Sequence, residues 1–325
     1  YTHSIPWAMH GKAHAKANLG RTQGDRIDKR FRDQQDGQTI GLPIGPDSSL
    51  VIAEFVLSTV DVALAHRDLR GLRYVDDYEL AFRTMAEAEN ALNELQGLLA
   101  DYELSLNPRK TSIVEGPVAF DESWVVRLRS FPFRATSPAV EMNDALAFFS
   151  LAFELAKEHP QHAVLRYAAV VAQRWTFRGI GWRTFQSLLL NAVTADPGIL
   201  PVVIVLLERH RAAGQAVGMP GVQSVIESTI ARHAPLGHGS EVAWALWTAI
   251  QFRATLTADA ARRVSGMEDD IVALLALHAN AEGLFPAGAL DPSLWTAIVG
   301  LPSALDDEHW LLSYCLLYTS PSPRD

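Results

Sequence analysis

Strand-forming sequence is confined to one short stretch of this chain, and nearly everything after it is patterned for helix. Two runs rich in β-formers, Leu72–Val75 and Tyr78–Phe82, are separated only by Asp76 and Asp77, which predicts a tight hairpin with both aspartates at its tip. Leu104–Leu106 and Thr111–Val114 flank a turn at Asn107-Pro108 and read as a second pair of short strands. Beyond Pro117 the texture changes, first to a Trp/Arg/Phe/Pro segment over Trp124–Pro138 and then to almost continuous amphipathic helix from about Glu141 to Tyr314. Breaks near His159-Pro160, Gly179–Gly181, Asp196–Gly198, Gly218–Gly221, Gly237–Gly239 and Pro286 cut that region into helices the length of helical hairpins. An α+β unit followed by an all-α unit is expected, and 325 residues at 48% hydrophobic content leave room for two cores.

Within the first part, residues 1–38 are polar and Gly-containing and read as loop-rich connection, with a short helix near Ala13–Asn18. The cluster Arg21, Arg26, Lys29, Arg30 and Arg32 around Phe31 is balanced by Asp25, Asp28 and Asp33, so a solvated loop outweighs a phosphate-binding patch. Gly41–Pro46 is turn-dense, and Asp47 or Ser48 then supplies an N-cap for a buried helix with Val51, Ile52, Phe55, Val56 and Val60 at helical spacing. Thr84 and Glu87 form a capping box for a helix carrying Leu92, Leu95, Leu98, Leu99 and Tyr102 on one face.

Composition removes several classes of function. A formal net charge of −9 argues against holding nucleic acid by bulk electrostatics, so any such contact must be local. The single cysteine, Cys315, has no partner for an internal disulfide or a Cys-based zinc site, which suits a reducing cytoplasm. The longest apolar run, Ile199–Leu207, is interrupted by Pro201 and is short of a membrane span, so a soluble protein is expected. His3 and His10 lack further ligands at zinc-like spacing. Trp175, Trp182, Trp244, Trp247, Trp295 and Trp310 are spread over the helical region, where core packing is the default over base stacking. The opening at Tyr1, without an initiator methionine, suggests that something precedes it, and residues 315–325 break the helical texture and read as a non-native tail.

Adjacent aspartates at a hairpin tip are what two-metal phosphoryl transfer needs, because carboxylates clamp Mg²⁺ ions about 3.5 to 4 Å apart. Alone, an Asp-Asp turn is more often a solvated hairpin, since Asp is a common turn former. Here Tyr74, Val75, Asp76 and Asp77 resemble the Tyr-x-Asp-Asp box of reverse transcriptases, motif C of that family. Upstream, the run from Gly41 through Pro43, Gly45 and Ser48 to Ser49, followed by a helix, resembles motif B. Downstream, Leu106–Thr111 resembles motif D, whose family lysine lies near the departing pyrophosphate; Lys110 takes that place. Three motifs in the family order identify the segment as similar to a reverse-transcriptase palm.

The resemblance implies catalytic roles for Asp76, Asp77 and Lys110, metal ligation by Asp76 and Asp77, and nucleotide or template contacts at Gly41, Pro43, Gly45, Ser48 and Tyr74. It also implies Mg²⁺ as cofactor and an RNA template or DNA product with deoxynucleotides as partners. The finer likeness is to bacterial, cytoplasmic, defence-associated reverse transcriptases of the abortive-infection type. In these a segment like Tyr1–Trp7 follows motif A and a helical-repeat domain follows the palm. Ile44 stands where glutamine is common in motif B, and members of the group include untemplated and protein-primed polymerases.

The expected organisation is therefore a partial palm over 1–117 with motifs B, C and D and motif A missing, a connector over 118–140, and a helical domain over 141–314. That domain, without a strict sequence period, has the texture of degenerate HEAT-like repeats able to cradle product or form a homo-oligomer, and no membrane is involved. Without the motif A aspartate, this chain by itself is expected to be inactive. The competing readings are a retron or intron-maturase enzyme, disfavoured because acidic residues outnumber basic ones beyond Glu141, and a non-catalytic palm joined to a protein-binding helical scaffold.

Overall fold

The structure is a computed structural model that describes all residues except 1–2, 36, 40, 43–44, 118, 120, 135 and 319–325. It divides into two compact units, residues 1–119 and 120–325.

The first unit opens with helix, not loop. Helices α1 (Ser4–His10), α2 (Lys12–Ala17) and α3 (Gln23–Asp33) occupy most of the segment expected to be connection. Thr22 starts α3 with a full capping box: its hydroxyl accepts the Asp25 N–H while the Asp25 carboxylate accepts the Thr22 N–H. Gly24 lets α3 press on α1, since a Cβ there would lie 2.5 Å from the Pro6 Cα. All of the basic cluster except Arg21 thus sits on α3, where Arg32 pairs with the buried Asp28 at 3.2 Å.

Helix α4 (Asp47–His66) starts after Pro46, and neither Asp47 nor Ser48 caps it: the N-cap position is Pro46, with no side-chain hydrogen bond. It buries Val56, Val60 and Leu64, whereas Val51, expected inside, is 65% exposed. The hairpin follows as β1 (Gly71–Tyr74) and β2 (Asp77–Leu80), antiparallel, with Tyr74 opposite Asp77. Each strand starts one residue earlier than expected, so the two-residue turn is Val75-Asp76 and Asp77 belongs to β2. Helix α5 (Met85–Asp101) has the Thr84/Glu87 capping box and packs Leu95, Leu98 and Leu99 against Val60 and Leu64.

Leu104–Leu106 and Thr111–Val114 are not strands. The turn between them forms, with the Arg109 N–H bonded to the Asn107 side chain at 3.0 Å, but extended backbone becomes sheet only beside a partner. Among the described residues the only sheet is the β1–β2 pair.

At 20 residues and with an 18-residue stretch of mean hydropathy 1.7, α4 is long and apolar enough to cross a membrane, which corrects the expectation that no run reaches that length. Its two internal carboxylates, Glu54 and Asp61, both engage Arg73 of β1, and its Val60/Leu64 edge packs on α5, as in a helix of a folded unit.

Helices are the regular elements of the second unit among its described residues. It comprises α6 (Ser123–Arg129), α7 (Pro138–Glu158), α8 (Val164–Ala172), α9 (Gly179–Ala195), α10 (Leu200–Ala212) and α11 (Met219–His233). It continues through α12 (Gly239–Phe252), α13 (Ala258–Ser265), α14 (Asp270–Ala281), α15 (Ser293–Val299) and α16 (Trp310–Tyr318). Helix α16 carries the chain through Cys315 to Tyr318, past the point where the helical texture was expected to stop. One core runs from Trp124 to Leu312, with Phe177 and Phe185 stacked at 3.9 Å between ring centroids. Trp182 and Trp295 are core residues as expected, but Trp244, Trp247 and Trp310 are 37%, 38% and 53% exposed.

A recurring device ties these helices together. A side chain on one helix accepts an N–H from the start of a later helix: Glu141 from the N-cap Arg178 at 2.7 Å, Gln186 from the N-cap Gly218 at 2.9 Å, Glu227 from the N-cap Thr257 at 2.7 Å, and Asp270 from Leu312, in the first turn of α16, at 2.9 Å. Each satisfies one of the donors that a helix start leaves without an intrahelical partner. Positions 141, 186, 227 and 270 are 45, 41 and 43 residues apart.

Candidate active site

The hairpin tip is held by a cation beneath it. Arg73 and Tyr78 are cross-strand partners. The Arg73 guanidinium donates to Asp61 at 2.6 Å, to Glu54 at 2.7 Å and to the Val75 carbonyl at 2.6 Å. Hydrogen bonds donated to Glu54 first, then to Asp61, push the Arg73 pKa well up, and the Arg73 contact holds Glu54 below its ordinary value. Burial, followed by the charge of Asp61, raises the Tyr78 phenol, which stays protonated. Val75 has φ +57, a left-handed conformation that a β-branched residue rarely adopts, and the Arg73 bond to its carbonyl secures that turn.

Asp76 and Asp77 are exposed and line a cavity of about 1200 Å³ bounded by α4, β2, α5 and residues 104–116. Lys110, on the turn whose Lys110 N–H bonds the Asn107 carbonyl at 3.0 Å, lines the same cavity. The structure therefore brings Asp76, Asp77 and Lys110 to one cleft. Tyr74, 82% exposed, is on β1 and does not line it. Gly41 and Gly45 have φ +129 and +122, values natural only to glycine, and the Gly41 carbonyl accepts from Gln35 at 2.6 Å. Ser48 is exposed in the first turn of α4, and of this loop Leu42 reaches the cavity wall. Pro43 and Ile44 lie outside the described residues.

Arg73 was not among the expected site residues. Its signal was present: Glu54 and Asp61, seven apart on one face of an otherwise apolar helix, require a cation from a neighbouring element.

Hard carboxylate oxygens at Asp76 and Asp77 suit Mg²⁺ in type, and a lysine on the same cleft can meet a phosphate. Among the described residues no third carboxylate or imidazole joins that pair within ligating distance. Residues 4–142 match the family model described as Reverse transcriptase (RNA-dependent DNA polymerase). None of the curated proteins matches the chain.

Proposed function

We propose that the first unit is the palm of a DNA polymerase of the reverse-transcriptase type. The observation that carries this reading is the convergence of Asp76, Asp77 and Lys110 on one cavity, within the segment that matches the family model. In this reading Asp76, at the turn, and Asp77, at the start of β2, present oxygens to Mg²⁺. Bound Mg²⁺ would lower the cost of charge on the attacking 3′-hydroxyl and on the leaving pyrophosphate. The 3′-hydroxyl would lose its proton to solvent as its oxygen bonds the α-phosphorus and the bond to pyrophosphate breaks, and Lys110 would give its ammonium proton to the departing oxygen, to be reprotonated from solvent. Gly41 and Gly45 shape a loop whose backbone can approach template or nucleotide closely, with Ser48 and Tyr74 as further contacts.

The second unit is, in this proposal, a helical-repeat array of the HEAT kind. Its support is the capping acceptor that recurs at intervals of 45, 41 and 43 residues, within the span of such repeats. A palm followed by such an array is the organisation of bacterial defence enzymes of the abortive-infection type, and we place the protein in anti-phage defence on that ground.

The test uses the complete reading frame that encodes this chain. The protein should incorporate deoxynucleotides with Mg²⁺, and Asp76→Asn should abolish incorporation while leaving the helical circular dichroism unchanged. Equal activity of the two proteins would sink the assignment of the site. Inertness of both would move the function to the helical unit, where Trp244, Trp247 and Ile271 expose an apolar groove between α12 and α14 that suits a protein partner.

A further inference from the structure

The second unit carries a cluster of metal-ligating side chains that the polymerase reading does not use. His233 ends α11, His238 immediately precedes α12, and Glu241 lies in the first turn of α12. The Nδ1 atoms of the two imidazoles face each other at 3.0 Å. One ligating atom from each of the three residues lies within 4.8 Å of the other two.

We propose that His233, His238 and Glu241 bind one divalent transition-metal ion of the borderline class that Zn²⁺ represents. The donor set is two imidazole nitrogens and a carboxylate oxygen, which suits zinc and not Mg²⁺ or Ca²⁺. Two nitrogens about 2.0 to 2.1 Å from a tetrahedral ion stand roughly 3.3 Å apart, so a shift of a few tenths of an ångström admits the ion. The His233 ring makes its hydrogen bond at Nδ1 alone, because Nε2 is enclosed without a partner. Its polar edge is thus committed to the cluster.

The backbone sets the ligands before any ion arrives. The His238 N–H bonds the His233 carbonyl at 3.2 Å, and the Gly237 N–H bonds the Ala234 carbonyl at 3.1 Å. Gly237 takes φ +68 between them. Gly239 follows with no room for a side chain: a Cβ would fall 1.9 Å from the Asp269 carboxylate, which also caps α14 by accepting the Val272 N–H at 2.9 Å. The start of α12, directly after His238, therefore lies hard against the N-cap of α14. With His238 exposed, three protein ligands leave the ion a position open to water. The site would tie the end of α11 to the start of α12 and is independent of the polymerase reading.

Calorimetric titration of the metal-stripped 325-residue chain with Zn²⁺ tests this. The expected result is one ion per chain, with affinity falling roughly tenfold or more in both His238→Ala and Glu241→Gln. Both positions are partly or fully exposed, so circular dichroism should show the variants folded. Absence of binding by the parent, or binding by both variants at the parent's affinity and stoichiometry, would overturn the proposal. The variants also separate this cluster from other histidines, such as the His10–His14 pair of the first unit.

Discussion

Arg73 shows how much of a hairpin tip can depend on one side chain. Its guanidinium, 10% exposed, neutralises two carboxylates of α4 and holds the carbonyl of a valine in a left-handed conformation. Arg73→Ala should strand Glu54 and Asp61 beside each other and release the turn. We expect a fall in Tm of roughly 5 °C or more and faster amide exchange in β1 and β2, measurable by thermal melting and hydrogen exchange.

A second residue sets a pH dependence. His210 is fully buried, stacked on Trp182 at 4.2 Å, with Nε2 accepting the Phe177 N–H at 3.1 Å and Nδ1 donating to the Leu206 carbonyl at 2.8 Å. Both nitrogens are satisfied only by the neutral ring, since a proton on Nε2 would confront the Phe177 donor. Burial accordingly depresses its pKa below the ordinary 6.5. A depressed histidine contributes stability that is complete above the unfolded-state value and is lost as pH falls below it. His309 acts in the opposite sense, because the Asp270 carboxylate raises its pKa. Melting the parent and His210→Gln between about pH 5 and 7.5 isolates the effect: the variant should be less stable at neutral pH and should lose less on acidification.

At the scale of elements, local chemistry was readable and partnership was not. The Thr84/Glu87 capping box could be read because both of its members lie within one turn. An equivalent Thr22/Asp25 box was available for α3, but the polar texture of residues 1–38 masked a helix stabilised by Gly24 packing on Pro6. The hairpin was legible to within one residue, and the shift moves Asp77 from the tip into β2. Leu104–Leu106 and Thr111–Val114 have strand-forming residues but no neighbouring strand to bond, a condition that no local pattern reveals. Asp76, Asp77 and Lys110 were legible as a motif, whereas Arg73 required knowing that β1 lies over α4. For the helices themselves, Glu141→Ala should be costly, because this fully buried carboxylate receives the Arg178 backbone and guanidinium N–H groups together. We expect a loss of about 1–3 kcal/mol in denaturant unfolding of the chain.

Across the second unit, the repeat array we propose has no strict sequence period, because what recurs in it is an acceptor and not a residue type. Glutamate, glutamine, glutamate and aspartate each offer an acceptor to a helix start further along the chain, from different turns of their own helices. Identity-based comparison passes over such a series, and the packing that surrounds each member tolerates different apolar residues.

If the second unit is the repeat array proposed above, its acceptors are interchangeable and the array is divisible. Excising residues 187–227 would bring Gln186 directly before Ser228, into the place Glu227 holds, where its amide oxygen could receive the Thr257 N–H. Such a shortened protein should remain helical and unfold cooperatively by circular dichroism, whereas a cut of half that length should not. Length would then be an adjustable property of this protein, changed in whole steps by recombination without redesign of the joints.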